Sequence, residues 1–187
     1  ERYKMTASRS RKKRCYTIIV ARGCPFRCTY CSHPFGMTLR CHSVERILDE
    51  LKLLITNYGA EEINFEADTL TINKNFLSSL CQGIIKSSYN QKIRWTCEAR
   101  VDTVDKEMLK LMREAGCWQI SYGVESGSQR LLDLIKKDFT LEQAAEAFQL
   151  TKEIGISIRA FFMLGLPTET RKESWETINF AKKLDAD

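Results

Sequence analysis

Short apolar, β-branched runs alternate along the chain with longer stretches whose hydrophobic residues recur every three or four positions. That alternation predicts strand followed by helix, five times over. The first strand is expected over residues 16–21. Residues 43–58 then place Val44, Ile47, Leu48, Leu51, Leu54, Ile55 and Tyr58 on one helical face, with Ser43 as N-cap and Gly59 as the stop. Further strands are predicted at 62–65, 93–98, 118–124 and 156–163. Helices are predicted at 75–88, 105–115, 129–136 and 141–154, with a last one after Thr170. Thr140 with Gln143, and Thr170 with Glu173, stand in capping-box register. A βα repeat of this kind predicts a parallel sheet, either an open partial barrel or a doubly wound sheet, and periodicity alone does not choose between them. In both, ligands gather at the carboxyl ends of the strands.

Composition narrows this picture. At 187 residues and 43% hydrophobic, the chain can bury one good core, so one domain is expected over residues 15–187, behind a basic tail at 1–14. The net charge of +5 is unevenly placed: residues 1–14 carry seven basic side chains and one acid, or +6, which leaves −1 for the rest. The positive charge is thus a property of the tail, read as a solvated linker. It has only Tyr3 and Tyr16 at its edges where a base-stacking platform needs interleaved aromatics, and nucleic acid is not an expected partner. No apolar run approaches the roughly 20 residues of a membrane-spanning helix. A first residue of Glu1 rather than Met reads as a piece of a longer protein. Eight cysteines without a disulfide-like spacing fit a reducing cytoplasm, and Cys15, Cys41, Cys81, Cys97 and Cys117 are expected mostly as buried free thiols.

The other three cysteines carry the chemistry. Cys24, Cys28 and Cys31 form a C-x3-C-x2-C triplet on the loop directly after the first strand. Three thiolates on one loop can hold three corners of an iron–sulfur cube and leave one iron without a protein ligand. An open position in a metal site binds something else, as a catalytic zinc does. A single zinc ion is the rival occupant, with His33 or the Cys41-His42 pair as fourth ligand, although C-x3-C-x2-C-x-H is not a common zinc spacing. That rival implies a non-enzymatic, zinc-stabilised module binding nucleic acid through the basic tail.

The run Arg22-Gly23-Cys24-Pro25-Phe26-Arg27-Cys28-Thr29-Tyr30-Cys31 resembles the cluster loop of the radical S-adenosylmethionine (SAM) superfamily, including the aromatic residue before the last cysteine. The resemblance implies a partial (β/α)6 TIM-like barrel, with the chain stopping near strand six. It implies a [4Fe-4S] cluster on Cys24, Cys28 and Cys31, whose open iron binds the amino and carboxylate groups of SAM. SAM would be cleaved reductively to methionine and a 5′-deoxyadenosyl radical, with Tyr30 against the adenine.

The strand ends extend the resemblance to the cobalamin-associated branch, which includes magnesium-protoporphyrin ester cyclases and B12-dependent methyltransferases. Asp68 and Thr71 match that branch's Asp-Asp-x-Phe-Thr pattern, and either Glu66 or Asp68 would meet the amino group of SAM. Ala99-Arg100-Val101-Asp102 matches a second segment, which makes Glu98 and Arg100 candidate SAM or substrate contacts; an internal Glu98–Arg100 or Arg100–Asp102 ion pair is the alternative. Gly123-Val124-Glu125-Ser126-Gly127-Ser128 matches a third. There Glu125 would hydrogen-bond the ribose or SAM's polar end, Gly127 would allow close backbone approach, and the following helix N-terminus would favour anions. Phe162-Met163-Leu164-Gly165-Leu166-Pro167-Thr168-Glu169-Thr170 matches a fourth. Arg159 is the polar candidate beside it; Leu164 counts among the SAM contacts, though Phe161, Met163 and Leu164 read chiefly as barrel core. Tyr3-Lys4-Met5 and the basic stretch look like the linker from a preceding cobalamin-binding domain.

The implied parent is a cytoplasmic enzyme with that N-terminal domain. It would use SAM, the cluster and cobalamin to methylate or oxidatively cyclise a small-molecule substrate, with a flavodoxin or ferredoxin as electron donor. A tRNA methylthiotransferase is the alternative within the superfamily. Such enzymes carry a second cluster or an RNA-binding domain, and neither is visible here.

Overall fold

The computed structural model describes residues 10–187, and the linker resemblance at Tyr3–Met5 lies outside them. Five parallel strands form one sheet: β1 (Cys15–Ile19), β2 (Glu62–Glu66), β3 (Arg94–Ala99), β4 (Cys117–Glu125) and β5 (Ser157–Phe162). Their order across the sheet is their order in the chain. A doubly wound sheet reverses its strand order at a switch point, which is how helices come to cover both faces. An unreversed order with crossovers of one hand puts every helix on one face and curls the sheet into a barrel wall. The fold is therefore the open, partial barrel.

The helices are α1 (Val44–Tyr58), α2 (Lys74–Lys86), α3 (Lys106–Glu114), α4 (Gln129–Leu134), α5 (Leu141–Glu153) and α6 (Arg171–Leu184). Local chemistry sets their ends. Ser43 accepts from the Arg46 N–H and Gly59 takes the left-handed conformation at either end of α1, and both capping boxes are formed, at Thr140–Gln143 and Thr170–Glu173. Strand limits fall within two residues of those expected. The difference with consequences is α4, which ends at Leu134 rather than 136, because Lys136 and Asp138 adopt positive φ.

Alternation along the strands separates two faces. Ile63, Phe65, Trp95, Cys97, Ile120, Tyr122 and Ile158 point towards the helices and are at most 1% exposed. Each large side chain buried there contributes about 1.5–3 kcal/mol. Trp95 packs on Phe65 with ring centres 5.2 Å apart and donates its indole N–H to the Ala115 carbonyl at 2.9 Å. The opposite, concave face carries Asn64, Glu66, Thr96, Glu98, Gln119, Ser121 and Arg159. Thr96 and Asn64 are hydrogen-bonded across the sheet at 3.0 Å, and Asn64 donates to Glu66 at 3.0 Å. A polar lining is what an open barrel needs if its interior is to receive a polar ligand.

Residues 10–14, expected as part of a solvated tail, lie instead against the floor of the sheet. The buried Glu62 carboxylate accepts from the Ser10 hydroxyl and from the backbone N–H groups of Arg11 and Lys12, at 2.9–3.1 Å. The Arg11 guanidinium lies 4.1 Å from the Trp118 ring centre. A buried carboxylate must find donors, and the last residues of the basic segment supply them. Among the described residues no helix is long and apolar enough to cross a membrane.

Candidate functional site

The cysteine loop leaves β1 at the carboxyl end of the sheet. A short antiparallel pair, Ala21–Arg22 with Arg40–Cys41, ties its two ends together. Gly23 opens it with φ of +88°, and a methyl group there would run into the Thr38 carbonyl, so only glycine fits. The Gly23 N–H donates to the Asp68 carboxylate at 2.7 Å and the Cys24 N–H to the Gly36 carbonyl at 3.1 Å. Farther along, the Thr29 N–H reaches the Ile135 carbonyl at 3.0 Å. The loop is thus held from three sides.

Inside it, Cys24, Cys28 and Cys31 line one cavity of about 130 Å³, together with Phe26, Tyr30, His33, Asp68, Arg100 and Lys137. All eight cysteines are free thiols, and Cys31 is the exposed one of the triplet. Cys81, Cys97 and Cys117 are buried as expected, with burial pushing the Cys81 and Cys117 thiols up, whereas Cys15 and Cys41 are half-buried.

A cluster and a single ion ask for different spacing of their thiols. A tetrahedral zinc holds its sulfur ligands about 3.8 Å apart, since each Zn–S bond is about 2.3 Å. Among the described residues no three His, Cys, Asp or Glu side chains come together to hold one ion. A cube spreads its three thiolates over three separate irons and demands wider spacing. Of the zinc candidates, His33 lines the cavity, while Cys41 and His42 lie in and just after the antiparallel pair, with His42 hydrogen-bonded to Arg46. Two buried cations also line this cavity, each paired with its own carboxylate, Arg100 with Asp102 and Lys137 with Glu125. The Arg100 guanidinium donates to Cys28 Sγ at 3.7 Å, and Lys137 lies behind Tyr30. The residues fit a cubane.

Each residue expected at the site has a definite place. Asp68 is spent on Gly23, inside the cavity, while Glu66 is exposed on the concave face. Arg100 forms a two-pronged ion pair with Asp102, at 2.9 Å on both arms, stacks on Phe26 at 3.6 Å and donates to the Lys137 carbonyl. The internal pair, one of its two expected roles, is therefore formed, and the arginine still borders the cavity. Glu125 is buried at the end of β4, where it accepts from Tyr30 Oη at 2.9 Å and from Lys137 Nζ at 3.1 Å. Burial and the neighbouring Glu125 push the Tyr30 hydroxyl well above its ordinary range, so it acts as a donor. Glu98 and Arg159 flank Ser121 in register on the concave face and line a second, smaller hollow with Asn64 and Gln119.

Three expectations are corrected. Phe161 and Leu164 are not barrel core: they are 41% and 58% exposed, because Phe161 alternates with the helix-facing Ala160 and Phe162 and Leu164 lies beyond the strand end. The close approach at Gly127 is made by α6, since a Cβ there would lie 2.6 Å from the Glu176 carbonyl. The start of α4 is not open to anions either, because Glu173 of α6 already accepts from Ser128 Oγ at 3.1 Å. Lys137 is the residue that sequence reasoning missed.

Comparison with known proteins gives the same picture. Over 172 residues the chain is 41% identical to an uncharacterized methyltransferase of Pyrococcus horikoshii, covering 91% of this chain and 37% of that one. Over 165 residues it is 34% identical to the anaerobic magnesium-protoporphyrin IX monomethyl ester cyclase of Cereibacter sphaeroides, covering 87% and 27%. The chain therefore spans about a third of the length of these relatives. Its fold superposes with a TM-score of 0.84 on the radical SAM methyltransferase TsrM from Kitasatospora setae, solved with cobalamin and a [4Fe-4S] cluster, at 20% identity over 92% of this chain and 35% of that one. The family model for the Radical SAM superfamily matches residues 18–181, nearly the whole described sheet and its helices. Fold, cysteine loop and relatives thus agree that this chain belongs to the radical SAM superfamily.

Proposed function

We propose that the chain is the catalytic core of a radical SAM enzyme of the cobalamin-associated branch, acting in the parent protein as a methyltransferase or an oxidative cyclase. The observation that carries this is the placing of three thiols around one cavity, on a loop fixed from three sides, at the carboxyl end of a parallel barrel wall. Cys24, Cys28 and Cys31 would hold a [4Fe-4S] cluster. When bound, the cluster supplies the electron that cleaves SAM to methionine and a 5′-deoxyadenosyl radical. The chain's own residues bind and orient. Asp68 fixes the loop, Arg100 donates a hydrogen bond to Cys28, and the concave face offers Glu66, Glu98, Ser121 and Arg159 to SAM and the substrate. Tyr30 and Leu164, both exposed at the rim, would contact the nucleoside.

The relatives favour the methyltransferase or cyclase reading over the tRNA methylthiotransferase, and TsrM's bound cobalamin supports cobalamin in the parent protein. The electron donor fits the outer face of the loop. Residues 15–44 contain Arg22, Arg27 and Arg40 and no acid, and Phe35 and Met37 are 46% and 49% exposed there. A basic surface with an apolar centre complements an acidic carrier such as a flavodoxin or ferredoxin. Free thiols throughout fit a reducing cytoplasm.

The test is anaerobic reconstitution followed by EPR of the reduced chain with and without SAM. About four iron and four sulfide per chain are expected, with a signal that changes when SAM is added. Replacing any of Cys24, Cys28 or Cys31 by Ala should abolish both, while Cys81→Ala should retain them. A colourless protein with one zinc, or equal loss in all four variants, defeats the reading.

A further inference from the structure

Behind the cysteine loop, two left-handed non-glycine residues stand two positions apart. Lys136 and Asp138 have φ of +55° and +56°, in the left-handed region that favours glycine, and Glu125 has φ of +74°. Such residues cost on the order of 1–3 kcal/mol each and persist only where the surroundings hold them. Between the first two stands Lys137, only 4% exposed. A lysine in a turn between two surface helices would ordinarily extend into water. Here the two left-handed neighbours turn it inward, where Nζ donates to Tyr30 Oη at 3.0 Å and to Glu125 Oε1 at 3.1 Å.

The surroundings are shaped for it. Gly123 leaves the space that the pair occupies, since a Cβ there would lie 2.5 Å from Glu125 Oε1 and 3.2 Å from Lys137 Nζ. The Lys137 carbonyl accepts from Arg100, which itself donates to Cys28 Sγ. The Thr29 N–H, next to Cys28, is held by the Ile135 carbonyl of the same turn. One turn thus grips the cysteine loop at Cys28 through Arg100, at Thr29 directly and at Tyr30 through Nζ. A buried ion pair of this kind is a poor source of stability, because desolvation offsets the attraction. Its placement calls for another use.

We propose that Lys137 is a positioning residue: it locks the stretch from Cys28 to Cys31 onto the end of β4, so that the thiols are already presented before any metal arrives. The idea rests on the cysteine loop being the ligand loop, but its test needs no metal. Hydrogen–deuterium exchange of the metal-free chain is read on peptides covering residues 22–41, with residues 93–99 as the core control, for wild type, Lys137→Met and Lys137→Arg. Lys137→Met is expected to speed exchange in 22–41 by about tenfold while 93–99 stays unchanged. Lys137→Arg keeps a donor and is expected to restore most of the protection. Unchanged exchange in 22–41 overturns the proposal, and so does an equal rise in both windows, which marks a merely structural lysine. Should Lys137→Met fail to fold, Tyr30→Phe serves, since it removes one hydroxyl from a ring that is 44% exposed. It is expected to speed exchange in 22–41 about threefold, and no change there overturns the proposal equally. Failure of iron to bind while loop protection still depends on Lys137 would fault the cluster assignment and leave the latch intact.

Discussion

Two buried carboxylates stand at opposite ends of the sheet, Glu62 at the floor and Glu125 at the rim, and the protein treats them differently. Glu62, 1% exposed, is met at Oε2 by a hydroxyl and two backbone N–H groups from Ser10, Arg11 and Lys12, while its buried Oε1 has no partner among the described residues. Glu125, 7% exposed, is met by a cation and a phenol, from a backbone that is left-handed at Glu125 itself and on both sides of Lys137. Both arrangements answer the same desolvation penalty. The floor does so at one oxygen, with neutral donors from the segment before β1. The rim accepts strain and a charged partner, and in return a reactive loop is held in shape.

The sharpest way to break the rim alone is Gly23→Ala. A left-handed conformation costs an L residue roughly 1–2 kcal/mol before the clash with Thr38 is counted, so iron retained after anaerobic reconstitution is expected to fall to about a tenth of wild type or less. Far-ultraviolet circular dichroism should keep its βα shape, and full iron retention would remove Gly23 from control of the loop. Glu62→Ala probes the floor. Two N–H groups and a hydroxyl lose their acceptor, which is expected to cost about 1–3 kcal/mol in denaturant unfolding, with iron content unchanged. A fall in iron as large as that of Gly23→Ala would erase the distinction between the two ends.

The smallest effect is expected behind the rim, at Glu173. The Arg130 guanidinium, the Thr170 backbone and hydroxyl and the Ser128 hydroxyl hold its carboxyl far below the usual carboxylate range. A depressed folded-state value contributes stability that is present above the unfolded value, near roughly 4.3, and lost as pH falls through the folded one. Glu173→Gln should therefore lower the thermal midpoint slightly at neutral pH and flatten its decline in acid. Parallel acid profiles for variant and wild type would show that this carboxylate plays no part in acid sensitivity.

The sequence made the scaffold legible because periodicity and caps act locally: Ser43, Gly59 and the two capping boxes mark helix ends without knowledge of anything distant. The ligand loop was legible for a similar reason, since three cysteines at fixed spacing need no tertiary context. Strand order was legible only through the family resemblance, because nothing in a βα repeat by itself says whether the order reverses. Nor was Lys137, which reads as a helix-end lysine in Lys136-Lys137-Asp138. Its burial depends on two left-handed residues and on the bare face of Gly123, facts that exist only once β4 and the turn meet. Gly127 misled because a glycine that admits a helix looks the same in sequence as one that admits a ligand.

The two-residue ribbon of Ala21–Arg22 with Arg40–Cys41 has a consequence for how such a protein can diversify. By fastening the loop at its base, it lets the stretch beyond Cys31, which the barrel does not grip as it grips Cys28 to Tyr30, change length with little effect on the wall. At Gly36 an added side chain would meet no atom within 4 Å. Gly36 itself is fixed by its φ of +76° and by the Cys24 N–H on its carbonyl, but an insertion beside it, where Phe35 and Met37 are 46% and 49% exposed, adds a loop-closure cost of about 0.6 kcal/mol for each doubling of length. New recognition elements can therefore be grafted beside the thiols while the wall that supports them stays untouched.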